Sequence, residues 1–132
     1  MASVVNTLEA RAVGTGAAVT VFVAVPFSIA RRTVDDATSS LVLLFFVGTL
    51  LAFVAGGYVG ARLAASAPYS NSAVAAAAGW AIVQTVTVIL MVRRGDAVNL
   101  VVIVANGLAA YACGLAGGLL ASRSPTTGVD RP

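Results

Sequence analysis

Gly48-Thr49-Leu50-Leu51-Ala52-Phe53-Val54-Ala55-Gly56-Gly57-Tyr58-Val59-Gly60-Ala61-Arg62-Leu63-Ala64 is an apolar run with a small residue at every fourth position: Gly48, Ala52, Gly56, Gly60 and Ala64. On a helix, residues four apart lie nearly one above another, so the run presents a flat stripe that a second backbone can approach closely. In lipid, where apolar side chains gain nothing by leaving the solvent, such stripes are packing surfaces. The stretch reads as a transmembrane helix with a packing face built into it.

The whole chain has the same character. Of its 132 residues, 59% are apolar and only 10% charged, and its mean hydropathy is +0.96. A water-soluble domain needs more polar surface than that, so the chain reads as an integral membrane protein. Spans of about 20 residues match the hydrocarbon core, and the expected ones are 13–30, 39–61, 73–92 and 98–121. The fold class is all-α, a polytopic membrane protein whose four helices form two tandem hairpins. Residues 1–132 are one membrane domain with a flexible tail at 124–132.

Working outward, Val13–Ala30 reads as a retained helix and not a signal peptide, since no basic segment precedes it. Pro26 removes a helical hydrogen bond and is expected to kink its last turn. The first loop, Arg31-Arg32-Thr33-Val34-Asp35-Asp36-Ala37-Thr38, mixes both charge signs, and Thr38 or Ser39 is placed to cap the next helix. Leu63–Ser72 is read as a loop because Ala67-Pro68-Tyr69-Ser70-Asn71 is a turn signal. Arg93-Arg94-Gly95-Asp96-Ala97 is short enough to make spans three and four a tight antiparallel hairpin.

The halves echo each other. Arg31-Arg32 falls on Arg93-Arg94 at an offset of 62. At an offset of 61, Gly56-Gly57 and Arg62 fall on Gly117-Gly118 and Arg123. The stripe transfers as well: Gly48, Ala52, Gly56 and Gly60 land on Ala109, Cys113, Gly117 and Ala121, all small. This reads as a parallel internal repeat, with an axis along the membrane normal and the small-residue faces of helices two and four as candidate packing surfaces.

Gly56-Gly57-Tyr58-Val59-Gly60-Ala61-Arg62-Leu63-Ala64 followed by Ala75-Ala76-Ala77-Ala78-Gly79-Trp80 resembles small four-helix bacterial integral membrane proteins typified by the YrzE-like group. The resemblance covers about half the chain. It implies a bacterial cytoplasmic (inner) membrane and no particular activity. Two other four-helix families fit less well. Small multidrug transporters carry a Glu inside the first span, whereas Glu9 precedes it here. Dual-topology fluoride channels share the size and an Asn-Gly helix, here Asn106-Gly107, but Gln84-Thr85-Val86-Thr87 does not reproduce their third-span break.

Ionisable residues deep in a bilayer mark transport or catalysis because they are costly there. None lies in the interior of a proposed span, and the chain has no His. Without an acid, a base or a ligand set there is no proton relay and no activated nucleophile, so the expectation is a non-enzyme without metal or cofactor. All eight basic residues are Arg, in no run that suggests nucleic acid. Cys113 is alone in an apolar segment and reads as a small packing residue.

Gln84, Thr85 and Asn106, with Thr87 beside them, are the candidate polar residues in the interior of spans three and four. They read as hydrogen-bonding links between helices or as the lining of a pore; the structural use is the expectation, with a direct Gln84–Asn106 contact. Arg31, Arg32, Arg93 and Arg94 gather on one side as a candidate headgroup or partner dock, with snorkelling the plainer reading. Arg11, Arg62, Arg123 and Arg131 are on the other side, so the arginines balance and leave orientation open. The functional expectation is a scaffold or accessory subunit of a larger membrane complex, in contact with lipid and with other integral membrane subunits or copies of itself. The alternative is a small homo-oligomeric channel or transporter.

Overall fold

Helix lets each of these apolar runs satisfy its backbone hydrogen bonds within lipid, and among the described residues four of them take it. A computed structural model of the chain describes residues 8–33 and 40–124. They contain α1 (Ala10–Arg32), α2 (Ser40–Leu63), α3 (Pro68–Arg94) and α4 (Leu100–Arg123). The shortest, α1, has 23 residues, about 34 Å at 1.5 Å per residue, which exceeds a hydrocarbon core of about 30 Å. All four are long and apolar enough to span a membrane, so the chain is a multi-pass membrane protein. Phe22, Leu43, Leu51, Leu100, Val101 and Leu108 are exposed on its outside, as lipid-facing side chains are.

α1 and α3 outrun the expected spans at both ends, while α2 and α4 are shifted by one or two residues. α1 continues through Pro26 to Arg32. α3 begins at Pro68, so Pro68–Ser72, read from the sequence as loop, is its first turn. Proline suits the first helical position, where no N–H is needed. The left-handed Ala67 precedes it at φ 44. α3 ends on Gly95, also left-handed at φ 77, whose N–H bonds back to the last turn, with Asp96 N–H reaching Met91 O at 3.0 Å. That cap turns the chain into α4, where Asn99 Oδ1 accepts from Val101 N–H and Val102 N–H at 3.0 and 3.3 Å. The proposed caps Thr38 and Ser39, the acids Asp35 and Asp36, and the tail beyond Ser124 lie outside the described residues.

Around the bundle the order is α1, α2, α4, α3, with α2 and α3 also touching across the middle. Thus α1 neighbours α3, and α2 neighbours α4. A two-fold axis along the membrane normal would put α1 diagonally opposite α3. The two hairpins instead lie side by side, as if related by translation, and the expected axis is absent.

The stripe on α2 does not meet its echo on α4. It packs on α1 and α3. A Cβ built on Gly16 would sit 2.6 Å from Gly56 O, and one on Gly56 would sit 2.6 Å from Gly16 O and collide with Thr20. That reciprocity marks the crossing of α1 and α2. Gly48 lies under the ring of Phe27, and Gly60 against Ala75. The α2–α4 crossing belongs to the adjacent face. A Cβ on Gly57 would lie 2.6 Å from Gly114 O, and one on Gly117 would collide with Val54 O. Consecutive glycines, Gly56 and Gly57, therefore serve two neighbours, since successive residues point about 100° apart around a helix.

Candidate functional site: a vestibule at the loop end

The two ends of the bundle are built differently, and the difference creates the site. At the end bearing the start of α1 and the end of α4, the buried side chains are small: Ala12, Ala61, Ala73, Ala75, Ala76 and Ala121. Backbones approach until no side chain fits between them. Toward the other end the side chains become larger and the helices part. There they leave a half-open cavity of about 470 Å³ lined by all four.

Its mouth carries Arg31, Arg32, Asp96 and Asn99, and its walls are apolar, including Phe46, Leu50, Val83, Met91, Val102 and Ile103. Phe53, Trp80 and Ala109 lie deepest. Between mouth and floor runs a belt of uncharged polar side chains: Thr49 from α2, Gln84 and Thr87 from α3, and Asn106 from α4. Counting from the helix ends at 1.5 Å per residue, the belt is about 9 to 15 Å inside. Thr49 Oγ1 donates to Phe45 O at 2.9 Å, its own preceding turn. Among the described residues, Gln84, Thr87 and Asn106 make no hydrogen bond to protein.

The expected Gln84–Asn106 hydrogen bond is not formed; the two amides share the cavity wall instead. Thr85 is separate from them. It is exposed, donates to Ala81 O at 2.7 Å, and borders a hollow on the outer face of α3 with Trp80, Ala81, Gln84, Val88 and Ile89. Trp80 stands between hollow and cavity. Its ring covers Gly107, where a Cβ would lie 2.9 Å from the ring's edge. Its Nε1 is buried without an acceptor among the described residues.

The arginines divide as well. Arg31 and Arg32 border the cavity, while Arg93 and Arg94, also exposed, do not. Of the packing positions, Gly48, Ala52, Gly56, Gly60, Gly117 and Ala121 are buried, whereas Ala109 and Cys113 are only partly so. Ala109 belongs to the cavity floor. Cys113 packs against the small cluster of Phe53, Ala76 and Ala110.

Sequence reasoning missed the residues that hold the closed end. Thr20 is fully buried, donates to Gly16 O at 3.1 Å, and fills the space over both Gly56 and Gly79. Asn71, fully buried in what was read as loop, accepts from Glu9 N–H at 2.8 Å. Its Nδ2 donates to Ser66 O and Ala67 O at 3.0 and 3.1 Å. Ser72 packs beside Gly118 and donates to Tyr69 O at 2.8 Å. The signal was present in Pro68: proline at a helix start makes Asn71 and Ser72 first-turn residues, facing inward.

Glu9 completes the fastening. Backbone N–H groups of Ala65 and Ser66 hold its carboxyl below the usual carboxylate range, the Ser66 bond being 2.8 Å. Tyr58 and Tyr69 hydroxyls donate to Ser124 and Ser122 at 3.4 and 3.3 Å, tying α4 to α2 and α3 at the same end. Compared with known protein families, curated proteins and solved structures, the chain has no match.

Proposed function

We propose that this chain is a non-enzymatic protein of a bacterial cytoplasmic membrane that takes a small molecule into its loop-end vestibule, as a small self-associating channel or transporter does. One observation carries the reading: Gln84, Thr87 and Asn106 border a shared cavity and, among the described residues, have no hydrogen-bond partner. Polar groups at membrane depth ordinarily find a partner or face water or a ligand. The cavity volume is within the range of small-molecule sites.

The non-enzymatic part rests on the spans' lack of an interior acid or base. The choice of membrane rests on the resemblance of Gly56–Ala64 and Ala75–Trp80 noted above. A duplicated hairpin is part of the same reading, supported by the Gly-Gly and Arg helix ends of α2 and α4 and by the side-by-side hairpins.

An accessory subunit bound to other integral membrane proteins is the second reading. It draws on the outer hollow of α3, where Thr85 and Gln84 give the lipid-facing surface a polar spot that a partner helix would cover. The α2 stripe lends it less, because Gly48, Ala52, Gly56 and Gly60 are buried within the chain. Extraction from native membrane in a gentle detergent separates the two. A homogeneous self-assembly that moves solute in proteoliposomes supports the first reading; a stoichiometric foreign membrane protein supports the second.

A further inference from the structure

We infer that the vestibule's occupant is a neutral, mostly apolar molecule of about fifteen to twenty non-hydrogen atoms, with one carbonyl or hydroxyl seated at the belt of Gln84, Thr87 and Asn106. The inference rests on the vestibule being a binding site, as proposed above, and adds its chemistry.

Size comes first. A cavity of about 470 Å³ has room for about fifteen waters at roughly 30 Å³ each. A two-ring organic molecule fits it. Its walls are chiefly the side chains of Phe46, Leu50, Phe53, Val83, Val102 and Ile103, so the body of the occupant is apolar.

Charge comes second. The belt holds amides and hydroxyls and no ionised group. An ion there would exchange its hydration for neutral dipoles without a counter-charge, which buried sites avoid. The arginines do not argue for an anion, because Arg31 and Arg32 are exposed at the mouth and share it with Asp96.

Hydrogen bonding comes third. Each amide offers two donors and an acceptor, and Thr87 offers one donor with acceptor capacity. A wholly apolar occupant would leave all of them unpaired in a dehydrated site. One carbonyl or hydroxyl at this depth pairs with one or two of them, each hydrogen bond being worth about tenfold in affinity.

The test uses the full chain in lipid nanodiscs and photolabelling by benzophenone, a two-ring ketone that inserts into nearby C–H bonds under near-ultraviolet light. Labelled peptides are mapped by mass spectrometry. Saturable labelling is expected on the segments 46–53, 80–91 and 98–109, over non-saturable labelling of lipid-facing Phe22. Three competitors share the two-ring body: benzhydrol with a hydroxyl, diphenylmethane with none, and diphenylacetate with a carboxylate. Competition is read as vestibule labelling relative to Phe22 labelling, since benzhydrol also gives hydrogen to photoexcited benzophenone and lowers both alike. On that ratio, at equal concentration in the membrane, benzhydrol should compete about tenfold better than either of the others.

In the triple variant Gln84→Leu, Thr87→Val, Asn106→Leu that advantage should disappear while diphenylmethane competes as before. The wild-type series alone decides the matter if the variant does not fold. Equal competition by diphenylmethane overturns the belt's role, and strongest competition by diphenylacetate overturns the neutral occupant. No saturable labelling in the vestibule removes the proposed binding function itself.

Discussion

At one end of this bundle glycine and alanine bring backbones into contact; at the other, phenylalanine, leucine and tryptophan hold them apart. The same four helices serve both ends. In water, bulky apolar side chains would strengthen a core by burial. In lipid that driving force is missing, and close contact between small residues together with internal hydrogen bonds has to hold the helices. The clasped end accordingly contains Gly16, Gly56, Gly57, Gly60, Gly114, Gly117 and Gly118, along with the buried polar residues Thr20, Asn71 and Ser72. The open end has the cavity and, in its belt, Gln84, Thr87 and Asn106 without a hydrogen bond among the described residues. One end is built to stay closed and leaves the other free to hold something.

The strongest way to break this contrast is to put bulk at the crossing. Gly56→Leu has no room, because its first side-chain carbon already meets Thr20 and Gly16 O. The expected loss is about 4 kcal/mol or more, enough to prevent folding. The same kind of enlargement at the open end, Ala109→Leu, grows into the cavity and should change stability by less than about 1 kcal/mol. Detergent-solubilised thermal stability, followed by loss of the monodisperse species, measures both. Equal loss in the two variants would remove the distinction between the ends.

A polar pair gives the next largest contrast. Asn71→Ala deletes the acceptor for Glu9 N–H and the donors to Ser66 O and Ala67 O. Leaving such groups buried and unpaired should cost about 2 to 3 kcal/mol. Asn106→Leu deletes no hydrogen bond among the described residues, and should cost less than about 0.5 kcal/mol. Chemical denaturation in mixed micelles would rank them; a larger loss at Asn106 would mean that the belt holds the fold together.

How far the sequence foretold this contrast depends on what each signal reports. Hydropathy gave the four spans because bilayer thickness fixes their length. Small-residue spacing identified Gly56 and Gly60 as packing positions because close approach needs them wherever the partner stands. It did not name the partner. Gly57, one residue off the stripe, makes the α2–α4 crossing instead, and which of two adjacent faces meets which helix is a tertiary outcome. Gln84 and Asn106 were legible as polar at membrane depth, yet their common cavity depends on how far α3 and α4 diverge. Asn71 was hidden by its own turn chemistry, since Pro-Tyr-Ser-Asn is equally a loop and the opening of a helix.

Acid probes the clasped end through Glu9. The Glu9 carboxyl is held below its ordinary value of 4.5 by backbone N–H groups at Ala65 and Ser66. A depressed folded-state pKa contributes stability that is fully present above the unfolded value and is lost as pH falls through the folded one. Wild type should therefore exceed Glu9→Gln in thermal stability near neutral pH, and the difference should close as the pH drops below about 4.5. The carboxyl is solvent-exposed, so the effect should be smaller than that of Asn71→Ala. A difference that widened on acidification would show that the N–H groups do not favour the charged form.

The smallest expected effect lies at the turn into α3 and has the opposite sign. Ala67 is left-handed at φ 44, a region that disfavours a Cβ by roughly 1 to 2 kcal/mol. Its carbonyl accepts from both Asn71 N–H and Asn71 Nδ2 at 3.1 Å, so the strained turn presents the acceptor on which Asn71 closes. Ala67→Gly removes the steric cost while keeping the carbonyl, at the expense of about 0.4 to 1 kcal/mol in unfolded-chain entropy. The net expectation is a gain of about 0.5 kcal/mol, read as a small rise in thermal midpoint. In the Asn71→Ala background the gain should persist, because relief of backbone strain does not need the side chain above it. A gain present only with Asn71 would mean that the turn and the asparagine act as one unit, and that the clasp begins at Ala67.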